Sequence, residues 1–151
     1  MELAEALKLR EGKRLVFTNG VFDILHAGHV SLLTRARMFG DVLIVGVNSD
    51  DSVRRLEKGP NRPIHGIEDR IAVLEALRVV DGAVEFAEDT PEAIITQLKP
   101  EVHVKGGDYT VQSLPESRIV HSYGGRVEIL SLLEGRSTTR AVQALGLEDV
   151  V

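Results

Sequence analysis

Five short apolar runs, at residues 15–18, 42–47, 83–86, 102–104 and 127–130, are separated from one another by helical periodicity or by loops. Strands that alternate with helices return to their sheet in one direction. The chain is therefore expected to be α/β, with a five-stranded parallel sheet and helices on both faces. The helical stretches are 30–39, 68–78 and 91–98, the last with Thr90 as N-cap and Pro91 in its first turn. A further helix opens near Ser137, a shorter one covers 114–123, and residues 1–8 read as the start of an acidic amphipathic helix. No repeat, low-complexity tract or interdomain linker interrupts the 151 residues, a length that supports one well-buried core, so 1–151 is expected to be a single domain. In open sheets of this kind ligands bind beyond the carboxyl ends of the strands, where the strand order switches. The motifs below fall at such ends.

The stretch Thr18-Asn19-Gly20-Val21-Phe22-Asp23-Ile24-Leu25-His26-Ala27-Gly28-His29 leaves the first strand, turns sharply and enters the following helix. Its two histidines thus stand at a helix N-terminus, where backbone N–H groups lack intrahelical partners and the dipole is positive. Gly28 lets a phosphate approach that backbone. Three residues apart, His26 and His29 share one helical face. Such a pair suits capping, metal binding or phosphate contact. Zinc needs three or four ligands, the chain has no cysteine, and His65, His103 and His121 fall without pattern, so no metal site is expected. Asp23 can cap the helix by itself, which argues against a purely structural role for the imidazoles.

A second helix start, Gly135-Arg136-Ser137-Thr138-Thr139, offers hydroxyls and free N–H groups after the last strand, either as a plain cap or as a second anion site. Lys105-Gly106-Gly107-Asp108-Tyr109 ends the fourth strand with glycines that permit close approach and an acid able to accept from a ribose or sugar hydroxyl. Asn48-Ser49-Asp50-Asp51 either orients a substrate or caps the next segment. Around the breaker-rich loop 58–63, Arg54, Arg55, Lys58, Arg62 and Arg70 form either a solvated surface or a lid over phosphates. From these we take Asp50, Lys58, Arg70 and Lys105 as candidate substrate-binding residues.

Composition narrows the partners. A net charge of −5 argues against a nucleic-acid binder and means that any polyphosphate site must gather its cations locally. No apolar run approaches the roughly 20 residues of a membrane span. The acidic N-terminus is unlike a signal peptide, and with zero cysteines this suggests a cytoplasmic protein.

Taken together, residues 18–29, Val47-Asn48-Ser49-Asp50, Val104 to Tyr109 and Gly135-x-Ser137-Thr138-Thr139 resemble the cytidylyltransferase-like nucleotidyltransferases. Within them the chain is similar to the adenylyltransferase domain of ADP-heptose synthases, from about Gly12 to Ala144. The resemblance implies a Rossmann-like domain in which the phosphate of D-glycero-β-D-manno-heptose 1-phosphate attacks the α-phosphorus of ATP, giving ADP-heptose and pyrophosphate. By it His26 and His29 act on the triphosphate, Ala27 and Gly28 complete their motif, and Ser137, Thr138 and Thr139 hold the β- and γ-phosphates. Asp108 binds the nucleoside, Val21 and Phe22 line the site, and Arg136 either adds a phosphate contact or points outward. Mg2+ would arrive with ATP, and a homodimer is expected. Many heptose enzymes fuse this domain to a sugar kinase, for which 151 residues leave no room, so a kinase would be a separate protein. Related glycerol-3-phosphate cytidylyltransferases carry an arginine where this chain has Leu132, which favours the heptose branch. Glycerol 3-phosphate or flavin mononucleotide remain alternative acceptors. A nucleotide-binding module without turnover is the alternative of a different class.

Overall fold

The apolar runs pair as parallel strands in the computed structural model, which describes residues 1–146. The last five residues of the expected 1–151 domain lie outside that range. In chain order the elements are α1 (Leu3–Leu9), β1 (Leu15–Gly20), α2 (Ala27–Arg37), β2 (Val42–Asn48), α3 (Asp50–Arg55), α4 (Ile67–Glu75) and β3 (Gly82–Phe86). They continue with α5 (Glu92–Leu98), β4 (Val102–Gly106), a 3-10 turn (Val111–Ser113), α6 (Ser117–Ser122), β5 (Arg126–Leu130) and α7 (Thr138–Ala144). The sheet order is β3-β2-β1-β4-β5, all parallel. Connections run one way from β1 through β2 to β3 and the other way through β4 to β5, so the switch lies between β1 and β4. The carboxyl ends of those two strands open the crevice that the topology reserves for a ligand.

Alternation along each strand serves two cores. Val16, Leu43, Val45, Val47, Val102 and Val104 face α2 and α4 with Leu33, Ala36 and Leu74. Leu15, Phe17, Val42 and Ile44 face the opposite layer with Ala6, Ile94, Ile95, Leu98 and Val120 from α1, α5 and α6. Period-two burial on both faces of the central strands is what a doubly covered parallel sheet requires.

The element boundaries differ from expectation for local reasons. α2 begins at Ala27 rather than 30, because His26 caps it. α5 takes Pro91 at its N-cap position, so Thr90 does not cap it. α4 stops at Glu75 instead of 78, and the helix expected over 114–123 contracts to Ser117–Ser122 behind Pro115. The segment after β2 forms α3, capped by Ser49, whose Oγ accepts from the Ser52 N–H at 3.1 Å. Of the two readings of Asn48 to Asp51, the capping one holds for Ser49.

Candidate active site

β1 ends on a turn built around Phe22, whose φ of 50° lies in the left-handed region although it is not glycine. Such a conformation costs on the order of 1–3 kcal/mol and persists only where the surroundings enforce it. Here the ring is buried and packs against His29, with centroids 5.5 Å apart. The turn delivers the chain to His26, which is extended and caps α2: its Nδ1 accepts from the Gly28 N–H at 3.0 Å. His29, at the third helical position, returns the favour, its Nδ1 accepting from the His26 N–H at 3.2 Å. The two imidazoles thus form a reciprocal capping box, a task usually given to Ser or Thr with Glu. Asp23, expected to cap the helix, does not. Its carboxylate accepts instead from Arg62 Nε at 2.9 Å, Ile64 N at 2.7 Å and His65 N at 2.9 Å.

Capping decides the chemistry of the rings. Because each Nδ1 accepts, each neutral ring carries its proton on Nε2, an N–H donor not used by any described protein group. Burial lowers the His29 pKa to about 4, helped by the neighbouring His26 ring 3.9 Å away. Burial and the Arg136 guanidinium lower that of His26. Both are therefore neutral donors at pH 7, at a positive helix end. Gly28 is needed here: a Cβ would lie 2.7 Å from the His26 ring.

These groups line a cleft of about 330 Å³ that also takes in Val21, Phe22, Lys58, Lys105, Arg136, Ser137, Thr138 and Thr139. The second helix start expected from the sequence faces the first across it. Ser137 caps α7 through Oγ, which accepts from Arg140 N at 3.0 Å and keeps its own proton to donate. The Thr138 hydroxyl donates to Ile24 O at 3.0 Å, tying α7 to the loop before α2. Its proton is spent, so Thr138 can offer an anion only its backbone N–H. Arg136 lines the cleft while exposed, its Nη1 donating to Glu134 O at 3.2 Å.

Four candidates lie elsewhere. Arg70 is buried and donates to Val21 O, Asn48 O, His65 O and Asp50 Oδ1 at 2.7–3.0 Å. It joins the ends of β1 and β2 to the loop before α4, and it occupies Asp50 in doing so. Neither lines the histidine cleft. Ala27 is exposed beside the cleft, and Asp108 is exposed beyond β4 and lines neither described opening. Most of the basic cluster, read from the sequence as either a solvated surface or a lid, is taken up in ion pairs. Arg54 pairs with Asp51, Arg55 with Asp89, and Arg62 with Asp23.

Lys58 and Lys105 are different, because both also line an adjoining cleft of about 380 Å³ with Asn48, Thr90, Tyr109 and Glu116. Burial dominates in lowering the Lys105 pKa, Lys58 adds to the lowering, and Glu116 opposes it. At this shared boundary Lys58 is exposed and Lys105 is half-buried. Asn19, unselected from the sequence, also lines both openings, and its Oδ1 is buried without a partner. Its place one residue before Gly20 in the first motif was the available signal. Among the described residues no three His, Cys, Asp or Glu side chains converge as a metal site.

A five-stranded parallel α/β sheet with two helix starts facing its switch point is a Rossmann-like domain. The chain belongs to the cytidylyltransferase-like family, whose model matches residues 17–135. It is 51% identical over 140 residues to the bifunctional protein HldE of Geobacter sulfurreducens, covering 93% of this chain and 28% of that one. HldE of Pseudomonas paraeruginosa is 55% identical over 134 residues, 89% of this chain and 28% of the relative. The chain thus spans little more than a quarter of the length of these curated relatives. Among solved structures, a lipopolysaccharide core biosynthesis protein from Thermoplasma volcanium matches with a TM-score of 0.66 at 30% identity, over 83% of this chain and all of that one. Pantoate-beta-alanine ligase from Francisella tularensis shares the fold alone, with a TM-score of 0.64 at 14% identity, over 94% of this chain and 71% of the other. No helix among the described residues is long and apolar enough to cross a membrane.

Proposed function

We propose that this domain transfers the adenylyl group of ATP to a sugar 1-phosphate, D-glycero-β-D-manno-heptose 1-phosphate, releasing pyrophosphate. The observation that carries the reading is the meeting of two clefts at Lys58 and Lys105, one of them bearing the histidine pair. A triphosphate in the histidine cleft would run between the starts of α2 and α7, and the acceptor's phosphate would come from the adjoining cleft. An acceptor phosphate oxygen then bonds to the α-phosphorus as the bond to the bridging oxygen of the β-phosphate breaks, and pyrophosphate carries away the electron pair.

The protein's part is positioning and charge stabilisation, which nucleotidyl transfer needs more than a protein nucleophile. His26 and His29 donate from Nε2 to phosphate oxygens as charge builds on the departing group. Ser137, Thr139 and Arg136, with the first N–H groups of α7, hold the β- and γ-phosphates. Lys58 and Lys105 offset the repulsion between two phosphates brought together. Val21 and Phe22 wall the site. Magnesium, with no site of its own on the described residues, would be held by the phosphates of ATP, whose charge it shields. The resemblance to ADP-heptose synthases supports a homodimer, and a sequence without cysteine supports a cytoplasmic location. The choice of heptose rests on the likeness of the four motifs to ADP-heptose synthases and agrees with identity above 50% to HldE proteins.

Pyrophosphate release measured with ATP or CTP against heptose 1-phosphate, other sugar 1-phosphates, glycerol 3-phosphate and flavin mononucleotide tests this reading. Release is expected with ATP and heptose 1-phosphate. A preference for CTP, or release with glycerol 3-phosphate or flavin mononucleotide instead, would overturn it.

A further inference from the structure

His103 and Glu116 take no part in the triphosphate cleft, yet they form a buried polar pair within the fold. His103 stands in the middle of β4 on the α5–α6 face, stacked on Phe17 with ring centroids 5.8 Å apart. Its Nε2 lies 2.9 Å from Glu116 Oε1, and the two side chains are 0% and 3% exposed. The partner of Nε2 is a carboxylate, so that nitrogen carries the proton and donates, while the buried Nδ1 has no partner. Burial pushes the Glu116 pKa up, but the bond from His103, a backbone bond and the nearby charges of His103 and Lys105 outweigh it and hold the carboxyl below its usual range.

Glu116 is therefore a desolvated anion at neutral pH, and it lines the second cleft. His103 donates to one carboxylate oxygen and a backbone N–H also supports the carboxylate, which still leaves some of its roughly four acceptor positions open. A buried charge with open acceptor capacity favours a ligand that supplies hydroxyl donors. Lys58 and Lys105, which line the same cleft, favour a ligand that also bears a phosphate. The Tyr109 ring, 5.5 Å from Lys105 Nζ, gives that cleft an apolar wall.

We propose that Glu116 is the specificity-determining residue of the second cleft, accepting hydrogen bonds from the hydroxyls of a polyhydroxylated monophosphate acceptor, with His103 as the residue that positions it. The assignment rests on the reading of this cleft as the acceptor's place. A site built to accept from hydroxyls discriminates strongly against an analogue lacking one, because the analogue leaves the buried anion unanswered.

The test is steady-state kinetics of the full chain with ATP and heptose 1-phosphate, comparing wild type with Glu116→Gln. The substitution keeps an oxygen for His103 and removes the charge. The acceptor KM should rise about 10- to 100-fold while the KM for ATP stays within about twofold. Monodeoxy heptose 1-phosphates supply a second measurement that needs no variant. Wild type should lose about 100-fold or more in kcat/KM on deletion of at least one hydroxyl, and Glu116→Gln should shrink that penalty below about tenfold. His103→Gln should raise the acceptor KM in the same direction without changing that for ATP. Wild-type turnover with no penalty for any deletion, or an unchanged acceptor KM in Glu116→Gln, overturns the role of Glu116 alone. Wild type that turns over no sugar phosphate overturns the reading of the reaction, and this assignment with it.

Discussion

At the scale of single residues, the division of labour within each imidazole governs the site. Nδ1 of both His26 and His29 is committed to the start of α2, and Nε2 is left to the cleft. Donors of this kind act on charge that develops during reaction, so His29→Ala should lower kcat about 100-fold or more and change the KM for ATP much less. An unchanged kcat would remove His29 from the mechanism. Burial of His29 also has a thermodynamic consequence. Its folded pKa of about 4 lies below the 6.5 of an unfolded histidine, so between those values the unfolded chain binds more protons. Stability from this group is complete above pH 6.5 and is lost as the pH falls toward 4. Urea unfolding should show wild type losing more stability than His29→Gln across that interval, and equal losses would contradict it. The motif was legible in the sequence because a strand, a turn and a helix could be read around it. Which ring nitrogen faces the cleft was not, since that depends on backbone N–H positions set by the Phe22 turn.

At the scale of elements, the loops at the carboxyl edge are fastened by charges that the sequence displayed as one undivided cluster. Arg62 closes residues 62–65 onto the β1 turn through Asp23, and Arg70 joins four segments at once. Asp23→Ala deletes the acceptor of three hydrogen bonds, one of them half of a buried ion pair, and should cost about 3–5 kcal/mol of stability. Chemical denaturation would measure it, and a loss below about 1 kcal/mol would contradict the fastening role. The acidic partners of Arg62 and Arg70 lie 39 and 20 residues away in the chain. That separation is why the sequence left a phosphate lid open as the alternative to a solvated surface. Of this cluster only Lys58 lines both clefts. His103 and Glu116 were illegible for the same reason: thirteen residues apart, they meet only once β4 and the segment entering α6 have packed.

Across the whole molecule, the parallel sheet, its two covered faces and the position of the crevice all follow from alternation and period, which is why they were readable in advance. The boundary between the clefts follows from strand order, which brings the ends of β1 and β4 side by side. The account requires that this boundary is where the α-phosphorus changes partners. Incubation with heptose 1-phosphate and ATP labelled in parallel at the α- or the γ-phosphorus tests this most directly. The α-label should appear in the sugar nucleotide and the γ-label in pyrophosphate, in equal amounts. Transfer of the γ-label to the sugar, or no transfer of the α-label, would contradict it.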